Sequence, residues 1–477
     1  MTGAPDPLQL AAHVLAMAEG ETQVTVVRER SLTSRFARSV PTQATALDTI
    51  AVHVLSVVDG QTGGAACTAL DDDTLRATAA RARRAAQAAA RSGPGLYPGL
   101  PDPAAARVQR AAQATAHSDP GLPEPAAAPS PAGFDGPTAQ LDPAAAGAAL
   151  AAAATAAGER GLEADGVWTA GDVRTAIASS RGLAVRDRVT DAFMRVICRD
   201  GDGRAGFAAG AGTGIGAVDG AQLAHRAAAK VVAGEPAALE PGAYPVILDH
   251  DAVGAILDML GDVAFNGLAH AEGRGALAGR LGTRVAAPGI DLSDHPRHPG
   301  TLPRAFDAEG VPKAPRTLIA DGVARAVVHD TRSAAIAGGG AVSTGHALEP
   351  GGSAWGPGPR NLVLAGGGAA SVEELAAPIE RGLYITRLWY LNVVHERSAL
   401  LTGVSREGTF LVEDGRIARP LRDVRFTDSA LRILEATEAL TASQRLVSEA
   451  ELYGTRFASG SVVPALRAGG FRVSGGA

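Results

Sequence analysis

The sequence predicts an α+β protein, with an N-terminal α/β region of hairpins and helices followed by a C-terminal domain of large antiparallel β-sheets. Two observations favour this class. In the first half, strand patterns alternate with Asp-Gly turns and helices that begin at acidic residues. From Tyr244 onward, short strand patterns separated by Gly and Asp turns outnumber helical patterns. A chain of 477 residues is long enough for two or three domains.

Residues 1–91 form a predicted first α/β subdomain. Asp6-Pro7 begins a helix that stops near Gly20, and Asp71 to Asp73 cap a long helix from Thr74 to about Arg91. Alternating apolar and polar residues predict strands between them, at 22–27, 32–38, 49–58 and 64–68.

Residues 92–138 are rich in Pro, Ala and Gly and are interpreted as a linker or a long excursion. Residues 139–236 then repeat the plan of the first subdomain. Helices are predicted at 143–157 and 219–232, with strands at 167–178, 183–188, 193–199 and 206–209. The shared plan indicates either a distant internal repeat or one sheet assembled from both stretches. The glycines from Gly210 to Gly216 lack the spacing of a dinucleotide-binding loop, so a flexible connection is favoured there.

Residues 237–477 form the predicted C-terminal domain. Strands are expected at 317–319, 325–329, 362–364, 384–394, 399–405, 408–413 and 416–420. Helices are expected at 251–260, 371–379 and 427–439.

Composition excludes several classes of function. The chain has 44 basic and 50 acidic residues and no basic block, which disfavours nucleic acid as a partner. Two cysteines, Cys67 and Cys198, are typical of a reducing compartment. Met1 to Asp6 lack the features of a signal peptide, and no apolar run approaches the roughly 20 residues of a membrane helix. A cytoplasmic location is therefore predicted.

The stretch from Val246 to Ala255 reads as a buried strand that runs into a helix, and it carries part of a metal motif. A zinc hydrolase needs several neutral imidazoles and a carboxylate beside the metal-bound water. Here His250 is followed by Asp251, but Ala255 stands where a second imidazole could complete the set. One imidazole does not hold zinc, and no metal site is predicted in this chain. The pair His295 and His298 lies in a Pro-rich loop and is interpreted as surface.

These residues, from His250 to Ala255, resemble the His-Glu-x-x-x-His motif of the TldD/PmbA (TldD/TldE) family of metallopeptidases. Further blocks support the resemblance in order along the chain, at 264–267, 306–312, 343–346, 382–387, 401–403, 408–415 and 425–427. The resemblance implies curved antiparallel sheets in the C-terminal domain. It also implies that Asp251 replaces the family's glutamate and that the family's C-terminal cysteine ligand is missing.

In this family one subunit carries the zinc and the other is a partner without the motif, and this chain is similar to the partner. The resemblance thus implies a non-catalytic, TldE-like subunit of a heterodimeric peptidase, with zinc in a TldD-like subunit. A first alternative is a complex adapted to a small amide, such as an N-acyl amino acid, in specialised-metabolite biosynthesis. A second alternative is a stand-alone protein that binds peptides.

Six residues are candidates for binding a peptide or a small amide. The strand from Tyr384 to Asn392 is rich in aromatics in a chain with only 4% of them, and alternation would put Arg387 and Trp389 on one face. Aromatic rings offer apolar area and Arg can grip a carboxylate, and the family resemblance implies binding of extended peptides by strand addition. The candidates are His346, Tyr384, Arg387, Trp389, Tyr390 and His395.

Overall fold

The computed structural model of the protein describes residues 5–103, 133–448, 456 and 459–476. These residues form a six-stranded sheet from the N-terminal half and a thirteen-stranded sheet from the C-terminal half, with helices packed against both. The predicted α+β class is confirmed. Of the predicted linker 92–138, residues 104–132 lie outside the described residues.

The N-terminal sheet combines strands from both of the predicted subdomains. Its strands are β1 (Glu21–Ala37), β2 (Val40–Val58), β3 (Gln61–Cys67), β4 (Glu163–Ser179), β5 (Ala184–Arg199) and β6 (Ala205–Gly212). All neighbours are antiparallel, in the order β3-β2-β1-β4-β5-β6. Of the two explanations for the shared plan, a single sheet built from both stretches is therefore what the structure shows.

Helices cover one face of this sheet and are capped as expected. They are α1 (Pro7–Met17), α2 (Asp72–Ala90), α3 (Gly136–Ala139), α4 (Pro143–Gly158) and α5 (Gly220–Ala228). Asp6, Asp71, Asp142 and Asp219 each accept a backbone N–H of the first helical turn, which satisfies donors that the helix leaves open.

Two pairs of predicted strands are in fact single long strands. Arg28 and Arg30 break the apolar alternation, but β1 continues through them because it is paired along both edges, with β2 and β4. Arg28 lies in a bidentate contact with Asp48, at 3.0 and 2.9 Å. Residues 183–188 and 193–199 likewise belong to the one strand β5.

The C-terminal sheet is organised around its last strand. Its strands are β7 (Gly242–Leu248), β8 (Leu292–Asp294), β9 (Arg316–Ala320), β10 (Val323–Ala324), β11 (Leu362–Leu364), β12 (Arg381–Ile385), β13 (Leu388–His395), β14 (Leu400–Ser405), β15 (Thr409–Glu413), β16 (Arg416–Pro420), β17 (Val424–Ser429), β18 (Thr437–Val447) and β19 (Ser461–Gly476). β19 pairs with β7, β11, β17 and β18. Most pairs are antiparallel, and β11–β19 and β7–β12 are parallel.

Helices of the C-terminal half are mostly short, and the first is the longest. They are α6 (His250–Ala264), α7 (Gly267–Ala271), α8 (Thr331–Ala337), α9 (Val372–Ala376) and α10 (Ala430–Glu435). Ile256, Leu257 and Leu260 of α6 are buried in the main C-terminal core. Gly254 lets α6 approach β18 closely, since a Cβ there would lie 2.6 Å from Cβ of Val447.

Three predictions for this half are wrong. Residues 325–329 are not a strand, and the expected strand 384–394 is divided at Thr386 and Arg387 into β12 and β13. The expected helix 427–439 is a strand end, the short helix α10 and the start of β18. Pairing of β17 and β18 with β19 outweighs the helical periodicity of this stretch.

Arg456 joins the two halves through a buried ion pair. Its Nε and Nη2 donate to the two carboxylate oxygens of Asp191 at 2.7 and 2.6 Å, and Nη1 donates to Thr169 Oγ1 at 2.8 Å. Its backbone N–H donates to Glu29 at 3.0 Å. Gly171 makes room for the guanidinium, because a Cβ there would lie 2.3 Å from Arg456 Nε. The polar face of the N-terminal sheet is thus held to the C-terminal half.

Replacing Arg456 by Ala should lower the free energy of unfolding by about 3–5 kcal/mol, because it leaves the carboxylate of Asp191 buried without its guanidinium. The lower end is expected, since the charge of Arg304 also acts on Asp191. Urea denaturation followed by circular dichroism measures the change. The control is Arg76→Ala on the exposed face of α2, which should stay within about 0.5 kcal/mol of the parent. Equal destabilisation of the two variants would contradict the assignment.

Candidate functional site

The motif residues lie where β7 runs into α6, as the sequence predicts. β7 is flanked in the sheet by β19 and β12, and Asp249 follows its last residue, Leu248. Asp249 caps α6 by accepting the backbone N–H of His250 at 2.8 Å. Asp249 and His250 are only 4% and 5% exposed. The first turn of the helix therefore presents a carboxylate and an imidazole inside the protein.

Both polar groups are engaged by side chains that come from distant parts of the chain. His250 Nδ1 lies 2.6 Å from Asp249 Oδ1, and His250 Nε2 donates to the carbonyl of Ser443 at 3.3 Å. Arg445 of β18 places Nη2 at 2.9 Å from Asp249 Oδ1 and 2.6 Å from His250 Nδ1. Tyr384 of β12 donates its hydroxyl to Asp249 Oδ2 at 3.0 Å.

These contacts keep Asp249 ionised. Burial alone would raise its pKa, but the hydrogen bond from His250 and the positive charge of Lys230 outweigh burial and lower the pKa to about 2. Tyr384 responds in the opposite direction, because burial and the negative charge of Asp249 raise the pKa of its hydroxyl. Tyr384 therefore stays a neutral hydrogen-bond donor.

Asp251 faces a different set of partners, which includes residues of the N-terminal half. It is 9% exposed, and within the described residues its Oδ2 has no hydrogen-bond partner. Burial raises its pKa, and the charges of Lys230, Arg226 and Arg387 partly offset that increase. Lys230 follows α5 and donates to the carbonyl of Phe207 at 2.7 Å. Burial lowers the pKa of Lys230, and the negative charges of Asp249 and Asp251 counteract the decrease.

Arg387 lies at the junction of β12 and β13 and is 5% exposed. Its Nη1 donates to Glu407 at 2.5 Å. Its guanidinium carbon lies 4.0 Å from the ring centre of Phe207 and 4.5 Å from that of Trp389. Arg387 is thus held between two rings, one from each half of the protein.

The other candidates for substrate binding lie in two further places. Trp389, Tyr390 and His395 belong to β13, which pairs on one side with β14; Tyr390 is 77% exposed and has φ of +55°. His346 is buried elsewhere, between Asp294 at 3.0 Å and Thr344 at 2.9 Å. Burial and the nearby charge of Lys313 lower the pKa of His346 to about 4. The structure thus brings Tyr384 and Arg387 to the α6 site and separates His346 from it.

Sequence reasoning missed the parts that Asp249, Lys230 and Arg445 play. A buried Asp directly before His250 was a usable signal, since an acidic N-cap is expected at that position. Arg445 gave no such signal, because it lies 195 residues from His250 on a strand that the sequence analysis did not identify.

The residues at the start of α6 do not fit the family's zinc ion. Ala255 offers no ligand atom, and Arg445 already contacts the imidazole and the carboxylate next to it. A guanidinium there would also repel a metal cation. Within the described ranges, no group of three or more His, Cys, Asp or Glu side chains could hold a metal ion.

A second buried acidic cluster joins the two halves at Asp307 and Glu309. Glu309 is 0% exposed; it accepts the Tyr97 hydroxyl at 3.1 Å and the backbone N–H and hydroxyl of Thr331 at 3.0 and 2.5 Å. Burial and the charge of Asp307 raise the pKa of Glu309 to about 8. Tyr97 follows α2, so this contact also ties the N-terminal half to the C-terminal half.

The fold and the incomplete motif at the start of α6 are those of a metallopeptidase family. Residues 241–475 match the family described as the PmbA/TldA metallopeptidase C-terminal domain. The protein belongs to the TldD/PmbA family.

Individual relatives agree with this assignment. A metalloprotease of Methanothermobacter thermautotrophicus is 26% identical over 267 residues, which cover 53% of this chain and 56% of that protein. The chain thus spans little more than half the length of this curated relative. Among solved structures, TldE from Thermococcus kodakarensis matches with a TM-score of 0.79 at 19% identity, covering 98% of this chain and 99% of the other. A candidate DNA gyrase modulator from Thermotoga maritima matches with a TM-score of 0.78 at 19% identity and the same coverage. At such identities the two structures show a shared fold.

The contribution of Glu309 to the stability of the protein should fall as the pH rises from about 5 to about 8. Glu309 has a folded-state pKa of about 8, above its ordinary value of 4.5, so the folded state binds the extra proton across this interval. One such group contributes a slope of at most about 1.4 kcal/mol per pH unit.

Glu309→Gln should remove that contribution, so the stability of the variant should fall less, or rise more, with pH than that of the parent, because the amide is neutral at every pH. Thermal unfolding between pH 5 and 8 tests this, with the exposed Glu235→Gln as the matched control. An unchanged slope in Glu309→Gln would show that Glu309 is already ionised in the folded protein.

Proposed function

We propose that this chain is the non-catalytic, TldE-like subunit of a heterodimeric zinc metallopeptidase that hydrolyses peptide or amide bonds. The observation that carries the proposal is the composition of the α6 site: Ala255 stands at the second imidazole position, and Arg445 contacts His250 and Asp249. Family membership supplies the reaction class, and the TldE structure supports a partnership of TldD/TldE type.

In this proposal the TldD-like partner provides the zinc and the general base. The present chain completes the substrate cavity and stabilises the partner by burying part of its surface. A cytoplasmic location forms part of the proposal, and the free thiols of Cys67 and Cys198 are consistent with it. Within the described residues, no helix is both long and apolar enough to cross a membrane.

A small-amide substrate remains the alternative to an unfolded or short peptide. Both substrates require the same hydrolytic centre in the partner, so the α6 site of this chain does not separate them. They are distinguished by supplying both kinds of compound to the reconstituted pair.

The purified chain alone should hydrolyse neither casein-derived peptides nor N-acyl amino acids, and it should contain zinc well below one equivalent. Adding a zinc-bearing TldD-like subunit should restore hydrolysis, because that subunit has the ligands that Ala255 removes here. Product release measured by chromatography, together with mass spectrometric metal analysis, tests both statements.

The partner without this chain is the matched control. Hydrolysis by this chain alone, with stoichiometric zinc, would exclude the non-catalytic assignment. A pair that is no more active than the partner alone would exclude the heterodimer.

A further inference from the structure

We propose that Arg445 and Lys230 form a carboxylate-binding site, which holds the C-terminal end of a peptide or the acid group of an N-acyl amino acid. The inference deepens the proposed function and rests on it for the substrate class. It starts from the groups that surround the first turn of α6, which come from both halves of the chain.

Arg445 has the geometry of a preorganised carboxylate ligand. Its Nη2 is fixed by Asp249 and His250, whereas within the described residues Nε and Nη1 donate no hydrogen bond. The Arg445 side chain is 31% exposed, against 6% for Asp249. Nη2 of the guanidinium is therefore anchored, and we infer that Nε and Nη1 are the donors for a ligand. The planar guanidinium matches the two oxygens of a carboxylate.

The charges around this turn favour an anion over a cation. Among the described residues, three basic side chains act on this turn, Arg226, Lys230 and Arg445, against the two carboxylates of Asp249 and Asp251. Within the part of the chain that the structure describes, the turn that would hold a metal cation in a complete motif is thus positive on balance.

Arg226 gives a second, independent observation. Its Nη2 is buried and has no hydrogen-bond partner within the described residues, while its Nη1 donates to the carbonyl of Ala209 at 3.4 Å. A buried N–H without an acceptor is costly, and a ligand oxygen would satisfy it. Lys230 also has N–H groups beyond the one that Phe207 accepts. A site in which basic side chains offer more N–H donors than the protein offers acceptors is suited to an anionic ligand.

The position of the site also explains which part of a substrate it would bind. Arg226 lies on α5 and Lys230 in the segment after it, both in the N-terminal half, whereas Arg445 lies on β18. The site therefore lies between the halves, beside the strand-to-helix junction at Asp249. A carboxylate held here would orient one end of a substrate without taking part in hydrolysis, so Arg445 and Lys230 are positioning residues.

Calorimetric titration of the full chain with N-acetyl-alanyl-alanine, its C-terminal amide and acetate tests the proposal. The dipeptide acid should bind, and the amide should bind about 10- to 100-fold more weakly, because it lacks the charge that Arg445 and Lys230 recognise. Acetate should bind more weakly than the dipeptide acid if the site recognises the end of a chain. Equal affinity for acid and amide, equal affinity for acetate and the dipeptide acid, or no binding of the acid at millimolar concentration would overturn the proposal.

Variants then assign the residues. Arg445→Ala should weaken binding of the acid about tenfold or more and leave the weak binding of the amide unchanged, and Arg445→Lys should recover part of the affinity as a point charge. Lys230→Met provides a second variant that leaves the Arg445 contact in place. Arg419→Ala on β16, whose side chain is 55% exposed and pairs with Glu413, is the control that should bind like the parent. Parent-like affinity in both Arg445→Ala and Lys230→Met would overturn the assignment.

These titrations contain no partner subunit and no zinc. Failure of carboxylate binding therefore leaves the heterodimer test untouched, and failure of the heterodimer leaves the titration result valid. The two proposals are distinguishable by experiment.

Discussion

The ionised carboxylate of Asp249 is the constraint on which the arrangement around α6 depends. A carboxylate this deeply buried is stable only if opposite charge and hydrogen-bond donors surround it. The donors come from His250, Tyr384 and Arg445, which belong to α6, β12 and β18. Satisfying one buried group therefore fixes the position of the helix relative to two strands that are remote in sequence.

The same constraint explains how the polar groups at the start of α6 are satisfied although Ala255 stands at the second imidazole position. An imidazole beside a carboxylate at a helix start would be left with unsatisfied polar atoms if a metal ligand were simply deleted. Here the guanidinium of Arg445 lies against both of them and donates an N–H to the carboxylate of Asp249. The first turn of α6 therefore holds a buried carboxylate and an imidazole beside a positive charge that the chain itself supplies.

Local features of the fold could be predicted from the sequence, and features that depend on pairing could not. The run from β7 into α6 and the helix starts at Asp6, Asp71, Asp142 and Asp219 follow from short-range signals and are present. The sequence predicts two strands where the structure has β1, because Arg28 and Arg30 interrupt the apolar pattern. Pairing with β2 and β4 keeps the strand continuous through both residues. The sequence does not predict β19, since Pro464 and the pair Gly469 and Gly470 weaken its strand pattern. In the structure, four other strands pair with it.

In the candidate site too, the residues that are close in sequence could be predicted and those brought together by the fold could not. His250, Asp251 and Ala255 could be identified because one turn of helix contains them all, and they indicate only what has been lost. What replaces it depends on Lys230 and Arg226 from the N-terminal half and Arg445 from β18, which the sequence does not place near one another. A substitution at a metal ligand changes the charge balance of its whole surroundings, and basic residues contributed by other elements then decide what can bind. Around α6 of this chain the described residues place three basic side chains beside two buried carboxylates, and that local balance is the basis on which we propose that the site binds an anion.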